Sequence, residues 1–237
     1  MDRNQFIVLA GGMPKSPPPR NYLARKHQHE YFWKFFAQSR WRKSVKAIYS
    51  EISVDTLLRK RIYSIEHIVP KSYLRASLKQ SERPGIVIHS AIYNPYNYAP
   101  SHRKVNASRS SLPYDVEDDV LFKNIKAKKA GSRPVGTDFE GEWVVPQRSR
   151  GCIARAILYV AILYGIDRIG KDMIEKFIPW AIANPPADWE VAFNRWILKK
   201  YSINNPFIEK RGGITPQSLL QDNELIQSLH AYCKHVN

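Results

Sequence analysis

The sequence predicts an α+β protein: a single, mainly helical domain with a few short strands. Three observations carry that expectation. Apolar residues recur at three- and four-residue steps through several segments, the period of an amphipathic helix. Tyr63-Ser-Ile-Glu66-His67-Ile-Val-Pro70 instead reads as a strand, running from Ile62 to Val69 and stopped by Pro70. At 237 residues and 43% hydrophobic content, the chain has single-domain size and can bury a core.

Residues 1–26 are expected to form a flexible N-terminal arm, basic and proline-containing, and 27–237 one domain. Pro17-Pro18-Pro19 and the basic run through Arg20, Arg25 and Lys26 motivate that boundary. Phe6-Ile-Val-Leu-Ala10 is apolar but short, and it makes a poor secretion signal. No apolar run reaches the roughly 20 residues needed to span a bilayer, so no membrane partner is expected.

From His29, the residues Tyr31-Phe32-Trp33, Phe35-Phe36, Trp41 and Val45 predict one or two helices. Ser53 caps a short helix over 53–61. After the strand, residues 75–85 read as a polar loop ending in Pro84-Gly85, and Ile86-Val-Ile88 starts another extended stretch. Ser101 caps a short helix to about Arg109. Residues 115–150 are irregular, with basic clusters such as Lys126, Lys128 and Lys129.

Ile153 to Ile166 is apolar almost all round, which predicts a buried central helix. A helix over 171–182 is expected to kink or end at Pro179. Asp188 caps an amphipathic helix carrying Trp189, Phe193, Trp196, Ile197 and Lys200, and Asn204-Asn205-Pro206 ends it. Thr215-Pro216 opens a last helix with Leu219, Leu220, Leu225, Ile226 and Leu229.

Charge points to a class of partner. Lys and Arg number 37 against 21 Asp and Glu, a formal charge of +16. Such a surface attracts polyanions and speeds their encounter, whereas solubility alone is the bland alternative. No base-reading module is recognisable, so nucleic acid is expected to be held through its phosphates. The two cysteines, Cys152 and Cys233, have no zinc spacing. Both are expected to be free thiols in a reducing, intracellular setting.

The chemistry lies in two motifs. Glu66-His67 ends the predicted strand, and Tyr96-Asn97-Tyr98-Ala-Pro100 leads into Val105-Asn106 and Arg109-Ser110. A neutral histidine such as His67 can take a proton near neutral pH. Glu66 offers a carboxylate oxygen and Asn106 an amide oxygen. Both are hard donors suited to Mg²⁺, with Mn²⁺ as a substitute. That set serves phosphodiester hydrolysis, where a divalent ion offsets developing negative charge. His102 and Arg109 stand at i−4 and i+3 to Asn106 on one helix face, which makes them candidates for a further metal or phosphate contact. Neighbouring strand residues point to opposite faces. Glu66 and His67 therefore share a site only if the strand ends or twists there. Taken singly, an exposed His102, a solvated Asn106 or a strand-end Glu-His pair is the commoner outcome.

In combination and order these motifs resemble the endonuclease I family of periplasmic and secreted bacterial nucleases, within the ββα-metal (His-Me finger) group. The resemblance continues through Gly151-Cys-Ile-Ala154-Arg155-Ala156 with Tyr159, Pro186-Ala-Asp188-Trp189-Glu190 and Asn204-Asn205-Pro206-Phe207-Ile208. It implies a ββα-metal finger core embedded in the helical domain. It implies His67 as general base and Glu66 and Asn106 as holders of Mg²⁺. The implied activity is cleavage of DNA, and of RNA in many members, with little sequence preference and 5′-phosphate ends. It also implies a phosphate-steadying arginine in the loop after the catalytic strand, with Arg83 the candidate and Arg75 the alternate. Arg155, on an apolar helix, is expected to have a buried partner. The competing readings are a non-cleaving DNA-binding or packaging protein on a nuclease-derived fold, and an RNA-directed nuclease.

Overall fold

The computed structural model describes residues 1–12, 22–38, 40–111, 114, 137–140, 143–146, 148–166 and 171–233. In chain order the helices are α1 (Arg3–Leu9), α2 (Tyr22–Gln38) and α3 (Val54–Arg59), before strand β1 (Tyr63–His67). Helices α4 (Lys71–Gln80) and α5 (Gly85–Ile92) follow, then β2 (Tyr98–His102) and α6 (Arg103–Arg109). A hairpin of β3 (Thr137–Glu140) and β4 (Trp143–Pro146) precedes α7 (Arg150–Tyr164), α8 (Lys171–Ala183) and α9 (Asp188–Tyr201). Helices α10 (Pro216–Leu220) and α11 (Asn223–Cys233) close the series. The architecture is mixed and mostly helical, as an α+β reading requires.

The core forms around α7. Every residue from Ile153 to Tyr164 is buried, because no face of this helix is polar except at Arg155. Arg155 meets Glu190 of α9 in a fork-to-fork pair, with nitrogen–oxygen distances of 2.7 to 3.1 Å. That is the buried partner expected for it. Helix α8 lies along α7 and runs through Pro179 to Ala183 without ending there. In α9, Glu190 reaches back to the Ala187 N–H at 3.2 Å, so Ala187 rather than Asp188 is the capping position.

The N-terminal expectation needs correction. Residues 3–9 are helical, with Phe6 fully buried against Tyr159 and Phe207. Arg3 donates from Nε and Nη2 to the carbonyls of Ile162 and Leu163 at 2.7 and 2.8 Å, which satisfies the free end of α7. Burial of one aromatic and capping by one arginine dock this segment, so 1–12 is not a flexible arm. The proline run lies outside the described residues, and Tyr22–Lys26 already belongs to α2.

Two further corrections bear on the site. Residues 71–80 and 85–92 are helices rather than a polar loop and an extended stretch. Leu74, Ser77 and Leu78 place one face of α4 in the core. The last predicted helix is two, divided where Asp222 caps the second by accepting from Leu225 N at 3.0 Å. Lys126, Lys128 and Lys129 lie outside the described residues.

Candidate active site

Two antiparallel strands and one helix build the site. β1 pairs with β2 in the register Tyr63 with His102 through His67 with Tyr98. β2 runs directly into α6. His102 is the junction: its Nδ1 accepts from Lys104 N at 3.2 Å and caps the helix. The helix therefore starts at Arg103, one residue later than a Ser101 cap would give.

The strand end is fixed by two side chains. Asn97 acts as a surrogate peptide. Its carbonyl accepts from Ile68 N at 3.0 Å, its Oδ1 from Val69 N at 2.7 Å, and its Nδ2 donates to the Val69 carbonyl at 2.9 Å. Arg109, on α6, donates to the carbonyls of His67 and Ile68, each at 2.9 Å, and to Glu66 Oε1 at 2.8 Å. These bonds set the twist that lets neighbouring residues of one strand line one cleft.

That cleft is lined by Glu66, His67 and Asn106, with Lys71 and Arg103 beside them. Glu66 is 1% exposed. Its Oε1 also accepts from the Tyr49 hydroxyl at 2.7 Å, and Tyr49 bonds in turn to the Tyr114 hydroxyl. Its Oε2 is buried with no hydrogen-bond partner among the described residues. Burial raises the Glu66 pKa to about 7, and Arg109 and Tyr49 hold it from rising further.

His67 packs edge-on against Tyr98, with ring centroids 4.9 Å apart. Burial, aided by the positive charge of Lys71, pushes its pKa well below the ordinary value, while a hydrogen bond to the Ile92 backbone opposes this. The imidazole is therefore neutral near pH 7. Its Nε2 is buried with no hydrogen-bond partner among the described residues. Asn106 donates from Nδ2 to the Ile65 carbonyl at 2.8 Å and to the Ser64 hydroxyl, which leaves its Oδ1 on the branch turned from those contacts.

The structure thus brings Glu66, His67, Asn106 and Arg109 to one cleft and places His102, Arg83 and Arg75 elsewhere. Arg109 lines it but is 1% exposed and already engaged with Glu66 and two carbonyls, so it is a brace rather than a surface phosphate contact. His102 is a helix cap and does not line the cleft. Arg83 lies at the far end of α4, its guanidinium beside Gly165 at the C-terminus of α7. The ten-residue helix after Pro70 carries it roughly 15 Å along that axis. Arg75 is exposed on α4. Sequence reasoning passed over Lys71 and Arg103, two further cations that line the cleft. Tyr49 and Tyr114 were missed too, since Tyr49's bond to Glu66 and Tyr114's bond to Tyr49 join separate segments of the chain.

Among the described residues no three or more His, Cys, Asp or Glu side chains cluster where they could hold a metal ion together. Cys152 is a free thiol, and burial pushes its pKa up. The Cys233 side chain lies outside the described residues.

The sequence model of the family described as Endonuclease I matches residues 25–211. This chain belongs to the endonuclease I family. A periplasmic deoxyribonuclease of Aeromonas hydrophila is 34% identical over 118 residues, 49% of this chain and 47% of that protein. An extracellular deoxyribonuclease of the same organism is 31% identical over 118 residues, 49% of this chain and 48% of the relative. A second extracellular deoxyribonuclease is 32% identical over the same length. The chain spans about half the length of these relatives. Their names overturn the intracellular placement expected above, because they are periplasmic and extracellular proteins.

Proposed function

We propose that this protein is a metal-dependent endonuclease that hydrolyses DNA with little sequence preference. One observation carries the reading: a neutral histidine and a buried carboxylate, each with an unpartnered atom, line one cleft with Asn106 and two cations. A carboxylate oxygen buried without a hydrogen bond is costly unless something occupies it. Glu66 Oε2 and Asn106 Oδ1 fit a hard divalent ion such as Mg²⁺, or Mn²⁺ in its place. When bound, such an ion would offset negative charge on the phosphate and on the departing oxygen.

The chain's own residues do the rest. His67 accepts a proton from water at its unpartnered Nε2, and the bond to Ile92 orients the ring. The water oxygen bonds to phosphorus and the bond to the 3′ oxygen breaks; that oxygen takes a proton from solvent, giving a 5′-phosphate and a 3′-hydroxyl. Lys71 and Arg103 steady the phosphate. β1, β2 and α6 would then be the ββα-metal finger. Arg109 positions both reacting side chains through the backbone it grips. We assign the protein the periplasmic or extracellular placement of its relatives.

The test is incubation of purified protein with supercoiled plasmid and with RNA, in Mg²⁺ and in EDTA. Mg²⁺-dependent nicking that EDTA stops is the expected result. Binding without nicking would favour a packaging protein, and cleavage of RNA alone an RNA-directed enzyme.

A further inference from the structure

A second cleft adjoins the first across β1. Its shared wall consists of Ser64, Ile65, His67, Lys71 and Arg103. Its far wall is α2, which contributes Trp33 and Lys34, and its end is Tyr63. Trp33 and Tyr63 meet with ring centroids 4.9 Å apart at an interplanar angle of 55°. Trp33 is held from behind by Phe32 and Phe36, at 5.2 and 6.2 Å. Tyr63 is 37% exposed, so part of its ring is open to the cleft that it lines. Three cations, Lys34, Lys71 and Arg103, line the cleft against one carboxylate, Glu30.

We propose that this cleft binds an unpaired stretch of nucleic acid flanking the scissile phosphate, with one base stacked on the Trp33–Tyr63 pair. This deepens the nuclease reading and rests on it. Every base offers a π-face, so aromatic platforms in a basic groove select single strands without reading sequence. In a duplex those faces are already stacked. Tyr63 precedes His67 by four strand positions, roughly 13 Å, so the platform meets a neighbouring nucleotide rather than the reacting one. Lys34, Lys71 and Arg103 line the same cleft and can meet the backbone phosphates of such a strand. Packing on Phe32 and Phe36 fixes Trp33 before any ligand arrives, which lowers the ordering cost of binding.

The experiment compares two probes on the His67→Ala protein in EDTA, at one salt concentration. One is an oligothymidylate about eight nucleotides long, within the usual span of single-strand sites. The other has the same phosphates but no bases. Fluorescence anisotropy should show the base-bearing strand bound roughly 5- to 150-fold more tightly, the worth of one stacked base. Tyr63→Ala should bring the ratio close to one, Tyr63→Phe should preserve it, and duplex affinity should change in neither. Trp33→Leu should also collapse the ratio, with circular dichroism confirming its fold. A wild-type ratio near one, a ratio untouched by Tyr63→Ala, or an equal loss of duplex affinity would overturn the proposal. Absence of Mg²⁺-dependent nicking by the unmutated protein would instead sink the catalytic reading, while the base-dependent ratio still reports on the platform.

Discussion

The Arg109 guanidinium, on α6, donates to Glu66 Oε1 on β1 at 2.8 Å, and both side chains are almost wholly buried. One ion pair thus joins the helix to the strand at the point where Glu66 and His67 face the cleft. Its partners Tyr49 and Tyr114 extend the contact to chain segments on either side. Removing one member of a buried pair leaves the other charge uncompensated, at a cost of about 3–5 kcal/mol. Arg109→Leu should therefore lose about that much stability in urea unfolding. The double variant Arg109→Leu with Glu66→Gln should recover a large part of it. Additive losses in the two substitutions would show that the pair is not coupled.

Glu66 gives the pH dependence. Its carboxylate is raised by burial to about 7, against roughly 4.3 for a free glutamate. Between those values the folded chain holds a proton that the unfolded chain has lost. The contribution of this group to stability therefore falls as pH rises from about 4.3 to 7. A divalent ion held as proposed would compete with the proton for this carboxylate, so Mg²⁺ affinity should rise over that interval. Activity at limiting Mg²⁺ should show an acid limb near pH 7 that saturating Mg²⁺ moves downward. Glu66→Gln should abolish the limb with most of the activity. A limb indifferent to Mg²⁺ would assign it to another group.

His67→Ala should reduce cleavage at least about 10²- to 10⁴-fold, the usual worth of a positioned base. DNA affinity should hardly move, because it is spread over many lysines and arginines. Gel shifts and nicking rates on the same preparation decide this. The neutral state of His67 over the working range adds that its loss should not alter the acid limb set by Glu66.

Some of this arrangement was legible in the sequence and some was not, for physical reasons. Ile153 to Tyr164 announces a central helix because no face of it is polar except at Arg155. Glu66, His67 and Asn106 stood out through the order of their motifs, not through any one residue. Helix α4 was hidden because its buried face includes Ser77 between Leu74 and Leu78, while Arg75 and Lys79 made the segment look like a loop. Ile86-Val-Ile88 favours a strand by its branched side chains, and tertiary context overrode that preference. With α4 misread, Arg83 was placed too close to the strand end. Phe6 gave no sign that its partners lie more than a hundred residues away.

Asn106 and His102 lie on one helix but should separate in their effects. Asn106→Ala removes a donor oxygen and also the tie to Ile65, so half-maximal activity should require several-fold more Mg²⁺. His102→Ala removes the cap on Lys104 N and should cost on the order of 1 kcal/mol of stability. Its Mg²⁺ requirement should stay as in the unmutated protein. A large rise for His102→Ala would bring that histidine back as a ligand.

The cations divide in the same way. Arg103 lines the cleft, and its Nη2 also donates to the Arg61 carbonyl at 2.9 Å, which holds the guanidinium near the strand. Arg83 packs beside Gly165, away from the reacting groups. Loss of one phosphate contact weakens binding evenly across sequences and lowers the slope of log affinity against log salt by about 1. Arg103→Ala should show both effects on several unrelated duplexes, and cleavage should slow with it. Arg83→Ala should leave the slope and the cleavage rate unchanged, with any deficit confined to thermal stability. If Arg83→Ala slows cleavage and Arg103→Ala does not, the phosphate is held from the α7 side of the molecule and the assignment made here is reversed.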